Sequence, residues 1–195
     1  MVKMVAAGAR RLSESARREQ LLDLGLELFS KKSFDELSMD SIAAEAGVSK
    51  ALLFHYFGSK RGYYVATVEE IARRVVDATA PASNLSFEET VERSLEGYLE
   101  FVKKNGALYR ALVRGGVGVD PETHAILEAV RRLSVTRVLE QLKVKRASPL
   151  LRTAILGWVG FAETAVLDWY DHRAFSERRL IALLLDTLTA IARNR

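Results

Sequence analysis

Ser38–Lys60, SMDSIAAEAGVSKALLFHYFGSK, reads as two short helices joined by a tight turn at Gly47. Ser38 suits an N-cap, Asp40 places a carboxylate in the first turn, and Ile42, Ala43 and Ala46 form one apolar stripe. Gly47 then ends the helix in the left-handed conformation that glycine adopts without a Cβ penalty. Ser49 caps the second helix, Val48 acts as an apolar staple beside it, and Leu53 and Phe57 recur one turn apart on its inner face. Ser49, Lys50, Ala51, Leu52, His55 and Tyr56 are left facing outward. Small, polar and aromatic groups near a helix N-terminus suit base edges in a major groove and the phosphates beside it.

The run AAEAGVSKALLFHYFGSK resembles the DNA-binding signature of the tetracycline-repressor (TetR) family of bacterial regulators. Ile42, Ala43, Ala46, Gly47, Val48, Ser49, Leu53, Phe57, Ser59 and Lys60 match at the family's spacing, with Phe54 for the usual Tyr and Tyr56 for the usual His. The resemblance covers about the first third of the chain, plus overall length and helical layout. It implies that Ser49, Lys50, Ala51 and Leu52 face bases, that Ser38, His55, Tyr56 and Lys60 hold phosphates, and that Phe54 lies in the same interface. Three positions depart from it. Leu52 stands where a polar residue is common, which favours apolar contact with a thymine methyl. Phe54 lacks a hydroxyl to offer the backbone, and Ser33 replaces a glycine after the first helix, so either a serine sits at positive φ or the turn differs.

Upstream, Leu21, Leu24, Gly25, Leu28 and Phe29 fall on one face of a helix that starts near Ser15. Before it, residues 1–18 hold five basic side chains against Glu14 alone. This arm reads as a frayed terminus, or as one whose Arg10, Arg11, Arg17 and Arg18 reach phosphates or a minor groove. It contains neither a signal-peptide core nor a stop-transfer segment.

Downstream, Ser59 and Lys60 open a helix through Tyr63, Tyr64, Val68, Ile71 and Val75 to about Thr79, stopped by Pro81. It links the reading head to the rest of the chain. Ser86 and Glu89 form a capping box before Leu95, Tyr98, Leu99 and Val102, and Asn105-Gly106 is expected to break that helix. GGVGVDP, residues 115–121, has no strand before it and no Gly-Lys-Ser/Thr after it, so it reads as a connector and not a phosphate loop. Asp120-Pro121 starts a helix carrying Ile126, Leu127, Val130, Leu133, Val138 and Leu142, and Ser148-Pro149 starts another.

That penultimate helix carries apolar residues around most of its circumference, from Leu150 and Leu151 through Ile155, Trp158, Phe161 and Ala165 to Trp169. It must be covered on two sides. Arg152, Glu163 and Asp168 disfavour a membrane as the cover, so a second subunit packed against the last two helices in a four-helix bundle is the economical solution. A homodimer is also what the resemblance implies.

With 49% apolar residues and only 3 prolines in 195, long helix-period segments dominate and the fold class expected is all-α, about nine helices. Residues 1–62 would form a three-helix helix-turn-helix domain, and 63–195 an effector-binding and dimerisation domain. The absence of Cys excludes disulfides, thiolate metal sites and Cys nucleophiles, and fits a cytoplasmic protein. His55, His124 and His172 lie singly, no carboxylates cluster on one predicted face and no G-x-S-x-G elbow occurs, so neither a catalytic site, a metal nor a cofactor is expected. The resemblance implies an effector cavity in the helical body. Tyr98, Phe101, Trp158, Phe161 and Glu163 are its candidates, against the alternative that the aromatics are ordinary core.

The function expected is a ligand-responsive, sequence-specific repressor that binds a palindromic double-stranded DNA operator as a dimer and responds to a small hydrophobic effector. The alternatives are an architectural or cell-division DNA-binding protein without effector, and a ligand-binding protein that keeps the fold without using it on DNA.

Overall fold

A computed structural model describes residues 13–82, 84–114 and 120–193. Among them are eight helices and no strand: α1 (Glu14–Lys31), α2 (Met39–Ala46), α3 (Lys50–Phe57), α4 (Lys60–Ala78), α5 (Phe87–Arg114), α6 (Pro121–Gln141), α7 (Pro149–His172) and α8 (Glu177–Arg193). Arg10, Arg11 and residues 115–119 lie outside the described residues.

The head is built from α1 to α3 and the start of α4. α1 begins on Ser13, whose Oγ accepts from the Ala16 N–H at 3.2 Å. Its buried face is Leu21, Leu22, Gly25, Leu26 and Phe29, turned slightly from the expected stripe, so that Leu24 and Leu28 are only half-buried. Gly25 is required by close approach, since a Cβ there would lie 2.5 Å from Thr67 Oγ1 and 2.8 Å from the Tyr63 hydroxyl. That hydroxyl donates to the Leu21 carbonyl at 2.6 Å and ties α4 to α1. Ser33 does not need positive φ. The helix ends on Lys32 in extended conformation (φ −134°, ψ 144°), and the Ser33 N–H and Oγ both donate to Glu36 Oε2 at 2.7 Å. A carboxylate closes the turn that a glycine would otherwise make.

The turn between α2 and α3 follows the sequence expectation. Gly47 sits at φ 63°, ψ 33°, and the Val48 N–H returns to the Ala43 carbonyl at 3.0 Å. Ser38 Oγ accepts from the Ser41 N–H, Ser49 Oγ from Leu52, and Ser59 Oγ from Gly62, at 3.1, 3.1 and 2.9 Å. Three serine caps thus position three consecutive helices.

In the body, Asn105-Gly106 does not break the chain's longest helix. α5 runs unbroken for 28 residues, which merges two expected helices and accounts for eight in place of nine. Gly106 is there for packing, because a Cβ would fall 2.4 Å from Tyr170 Cζ on α7, while Asn105 Nδ2 bonds the Phe101 carbonyl at 3.0 Å within the helix. α5 packs against α1, α4, α7 and α8. α6 also differs from expectation. It buries Thr123, Val135 and Leu139, leaves Leu133 exposed, and keeps Ile126, Leu127 and Val130 half-covered.

α4 and α6 lie side by side in parallel and are fastened at both ends. Arg61, at the start of α4, makes a forked pair with Asp120, the N-cap of α6, at 2.7 and 3.1 Å and also reaches Glu122 at 2.8 Å. Arg137, late in α6, donates to the Val76 and Thr79 carbonyls at the end of α4 at 2.9 and 3.3 Å. A shift of α6 is therefore a shift of α4, which leads directly into the head.

Candidate DNA-reading head and effector cavity

α3 buries Leu53 and Phe57 and turns Lys50, Ala51, Phe54 and His55 to solvent, with Leu52 and Tyr56 half-covered. Phe54 is an apolar ring left 40% exposed. Lys50 Nζ bonds Asp40 Oδ2 at 2.8 Å across the two helices, which holds the lysine over the reading face and neutralises the one carboxylate at the start of α2. Such an exposed pair is worth little to stability. Its lysine is accordingly easy to exchange onto a base or phosphate. Ser38 and Ser49 are exposed but spend their hydroxyls on caps.

Lys60 is placed differently from the phosphate role its motif position implies. Its Nζ donates to the Phe34 and Leu37 carbonyls, both at 3.0 Å, and lies 4.1 Å from the Phe34 ring centroid. It pins the α1–α2 connection to α4 from inside. At the beginning of α1, Arg18 stacks 5.6 Å from the Phe57 ring centroid at the end of α3, and Arg17 Nη1 bonds Gln20 at 2.6 Å within α1.

Between α4, α5, α6 and α7 lies a cavity of about 120 Å³. Tyr98, Trp158 and Glu163 line it as expected; Phe101 and Phe161 do not. Phe101 is buried against Tyr109 in the neighbouring core, with ring centroids 5.5 Å apart, and Phe161 points outward, 40% exposed. Sequence reasoning missed Thr90 and Ser94, two turns and one turn before Tyr98, and Arg131, Ser134, Arg137 and Gln141 on α6. Polar residues at helical spacing on otherwise apolar helices were the available signal.

The inner end of the cavity is a closed polar network. The Tyr98 hydroxyl donates to that of Tyr109 at 3.0 Å, and burial pushes both phenols up. Glu163 accepts from Arg131 Nε at 3.1 and 3.0 Å. Burial raises the Glu163 carboxyl above the usual carboxylate range, and the Arg131 pair only partly offsets this. For Arg131 burial acts downward, but hydrogen bonds to Glu163 and Glu128 outweigh it and the guanidinium stays charged. Trp158 Nε1 reaches the Leu184 carbonyl at 2.9 Å, so the indole that walls the cavity also joins α7 to α8.

On the far side of α7, the apolar surplus is uncovered. Leu150 is 78% exposed, Leu156 43%, and Leu183 on α8 45%. Gly157 and Gly160 beside them have open space where a Cβ would stand. α7 is long and apolar enough to cross a membrane by length and composition, yet its other face is packed into the body through Ile155, Val159, Val166 and Trp169. Among the described residues no group of His, Asp and Glu side chains is arranged to hold a metal.

The profile described as "Bacterial regulatory proteins, tetR family" matches residues 21–62, and "Tetracyclin repressor-like, C-terminal domain" matches residues 87–191, more than half of the chain. The chain belongs to the TetR family. It is a helix-turn-helix transcriptional regulator of that family. Among curated TetR-family relatives it is similar to the HTH-type transcriptional activator FasR of Mycolicibacterium smegmatis, 28% identical over 179 residues that cover 87% of this chain and 81% of that protein. Similarity to the HTH-type transcriptional regulator BetI of Cronobacter sakazakii is 31% over 99 residues, about half of each chain (49%). Of solved structures, a tetR-family regulator from Streptomyces coelicolor superposes with a TM-score of 0.82 at 30% identity, covering 92% of this chain and 82% of that one. A TetR-like regulator from Rhodococcus sp. RHA1 gives 0.71 at 30% identity, covering 95% and 100%.

Proposed function

We propose that this TetR-family regulator is a cytoplasmic, effector-responsive repressor, with a head over residues 1–62 and a body over 63–195. A dimer formed through α7 and α8 would place two copies of α3 in successive major grooves of a near-palindromic operator, with half-sites about 34–36 Å apart or a multiple of that. Ser49, Lys50, Ala51 and Leu52, with Phe54, face the bases; Ser38, His55 and Tyr56 lie along the phosphates. The observation that carries the reading is continuity. The helix that holds α3 from behind, α4, ends at Thr79 in the wall of the cavity. An effector with different affinities for two positions of α4 would therefore change the spacing of the heads, by as much free energy as that difference in affinity.

The test is selection of bound duplexes from a random pool with the purified protein at moderate salt. One enriched inverted repeat supports the reading, and a correctly folded dimer that enriches nothing contradicts it. A second reading, activation instead of repression, is favoured by the name of the M. smegmatis relative. A reporter carrying the selected site upstream of a promoter separates the two by the sign of its response.

A further inference from the structure

The charges around the cavity are unevenly matched. Three charged side chains line it: Arg131, Arg137 and Glu163. Glu163 commits both oxygens to Arg131, and Arg131 is also held by Glu128, so this group leaves no cation unbalanced. Among the described residues Arg137 has no carboxylate partner. Its Nη1 alone is engaged, by the Val76 carbonyl and by the carbonyl and hydroxyl of Thr79 at 2.9, 3.3 and 3.1 Å, while its Nε and Nη2 make no hydrogen bond among the described residues. A guanidinium carries five donors in a fork that matches a planar anion. Two of its three nitrogens are therefore open at the edge of an apolar chamber.

Size narrows the ligand. At about 10–15 Å³ per water, a cavity of about 120 Å³ has room for a molecule of roughly ten non-hydrogen atoms. Arg131 and Arg137 are six residues apart on one helix, about 9 Å of rise, so the carboxylate-paired Arg131 and the open guanidinium mark opposite ends. Between them the wall is mostly apolar, with Val91, Leu95, Val130 and Val159 beside Ser94 and Ser134, whose hydroxyls are spent on carbonyls of their own helices.

We propose that the effector is an amphipathic monoanion of about ten non-hydrogen atoms, whose apolar body lies along these residues and whose carboxylate or similar anion binds Arg137. This rests on the cavity being the effector site and is independent of the reading of DNA. It assigns Arg137 a second task. The same guanidinium holds the Val76 and Thr79 carbonyls through Nη1, so an anion on Nε and Nη2 draws Arg137 into the chamber and loosens the fastening between α6 and the last turn of α4.

The experiment compares octanoate, 1-octanol and octylammonium as probes of equal length, titrated calorimetrically into the full chain without DNA. Octanoate is expected to bind about tenfold tighter than either of the others, the discrimination of one charge-assisted contact. Arg137→Gln, which keeps a donor for the α4 carbonyls but no charge, is expected to reduce that preference to less than about threefold while binding octanol as before; Arg137→Lys should restore part of it. Hydrogen exchange of amides in the last turn of α4 should rise on adding octanoate. The proposal is overturned by equal or tighter binding of octanol or octylammonium, by a carboxylate preference that survives Arg137→Gln, by no binding of any of the three, or by unchanged exchange at the end of α4. An unfolded Arg137→Gln protein would leave the wild-type ranking and the Arg137→Lys variant to decide.

Discussion

Replacing Lys60 by Met separates two roles that one motif position can have. The substitution keeps the apolar stem and removes the ammonium that donates to the Phe34 and Leu37 carbonyls at 3.0 Å each and sits 4.1 Å from the Phe34 ring centroid. Hydrogen bonds from a charged donor contribute about 1.5–3 kcal/mol each, and a partly exposed cation–π contact about 0.5–1 kcal/mol. Because Lys60 is only half-buried, water takes over part of both carbonyls, which brings the loss below the summed lower limits of about 3.5 kcal/mol, to about 2–3 kcal/mol. For a chain of this size each kcal/mol moves Tm by about 2–4 °C, so the melting temperature should fall by about 4–12 °C. Operator affinity should fall as the α1–α2 connection loosens, but the slope of log K against log salt should not change, because no phosphate contact is lost. A lysine that neutralised a phosphate would behave in the opposite way, lowering the slope by about 0.9 with an unaltered melting temperature. Thermal melts and salt titrations on one preparation decide between them, and the second pattern would refute the structural role.

Gly97→Ala should destabilise. A Cβ there would stand 2.0 Å from the Ala78 carbonyl oxygen, a backbone atom that can move only with the end of α4; the helix-propensity gain of about 1 kcal/mol is outweighed by overpacking of about 3 kcal/mol, a net loss near 2 read from thermal melts. Glu163→Gln should change the pH dependence of stability. The raised carboxyl of Glu163 means that its ionised form costs stability above its folded pKa and that this cost disappears as pH falls towards the unfolded value, so wild type should gain on the variant as pH drops from 7 to 4 in paired denaturant titrations. Glu70 works in the other direction: hydrogen bonding to Arg73 first, then to Arg74, holds its carboxyl below the usual range, so Glu70→Gln should remove stability present at neutral pH that wild type itself loses on acidification. Finally, Leu156→Glu with Leu183→Glu should give folded monomers in sedimentation, with loss of inverted-repeat binding; a dimer that survives both would remove α7 and α8 as the interface.

Most of the head was legible because its signals are local. Ser38, Gly47, Ser49 and Ser59 act within one turn of their own position, and each does what its residue type dictates. Where the reading failed, the deciding atom lay far along the chain. Gly106 looks like a helix breaker until Tyr170 is placed over it, and the inward bonds of Lys60 depend on the carbonyls that Phe34 and Leu37 turn towards it. Ser33 was correctly flagged as a departure, but the remedy depended on Glu36 three residues away. The cavity was the least legible part. Aromatics were a fair guide for Tyr98 and Trp158 and a poor one for Phe101 and Phe161, since a ring suits core, pocket and interface equally, whereas the polar stripe Thr90–Ser94–Tyr98 distinguishes one face.

The unbroken α5 constrains how this body can diversify. Thr90, Ser94 and Tyr98 meet the cavity in its first half, and Gly106 seats Tyr170 in its second, all on one rigid rod. Inserting a single residue between them would turn one half by about 100° against the other and advance it by about 1.5 Å, taking either the chamber or the seat for Tyr170 out of phase. New chemistry in the chamber must therefore arrive by substitution at fixed length. Changes in length belong between α4, which ends at Ala78, and α5, which starts at Phe87.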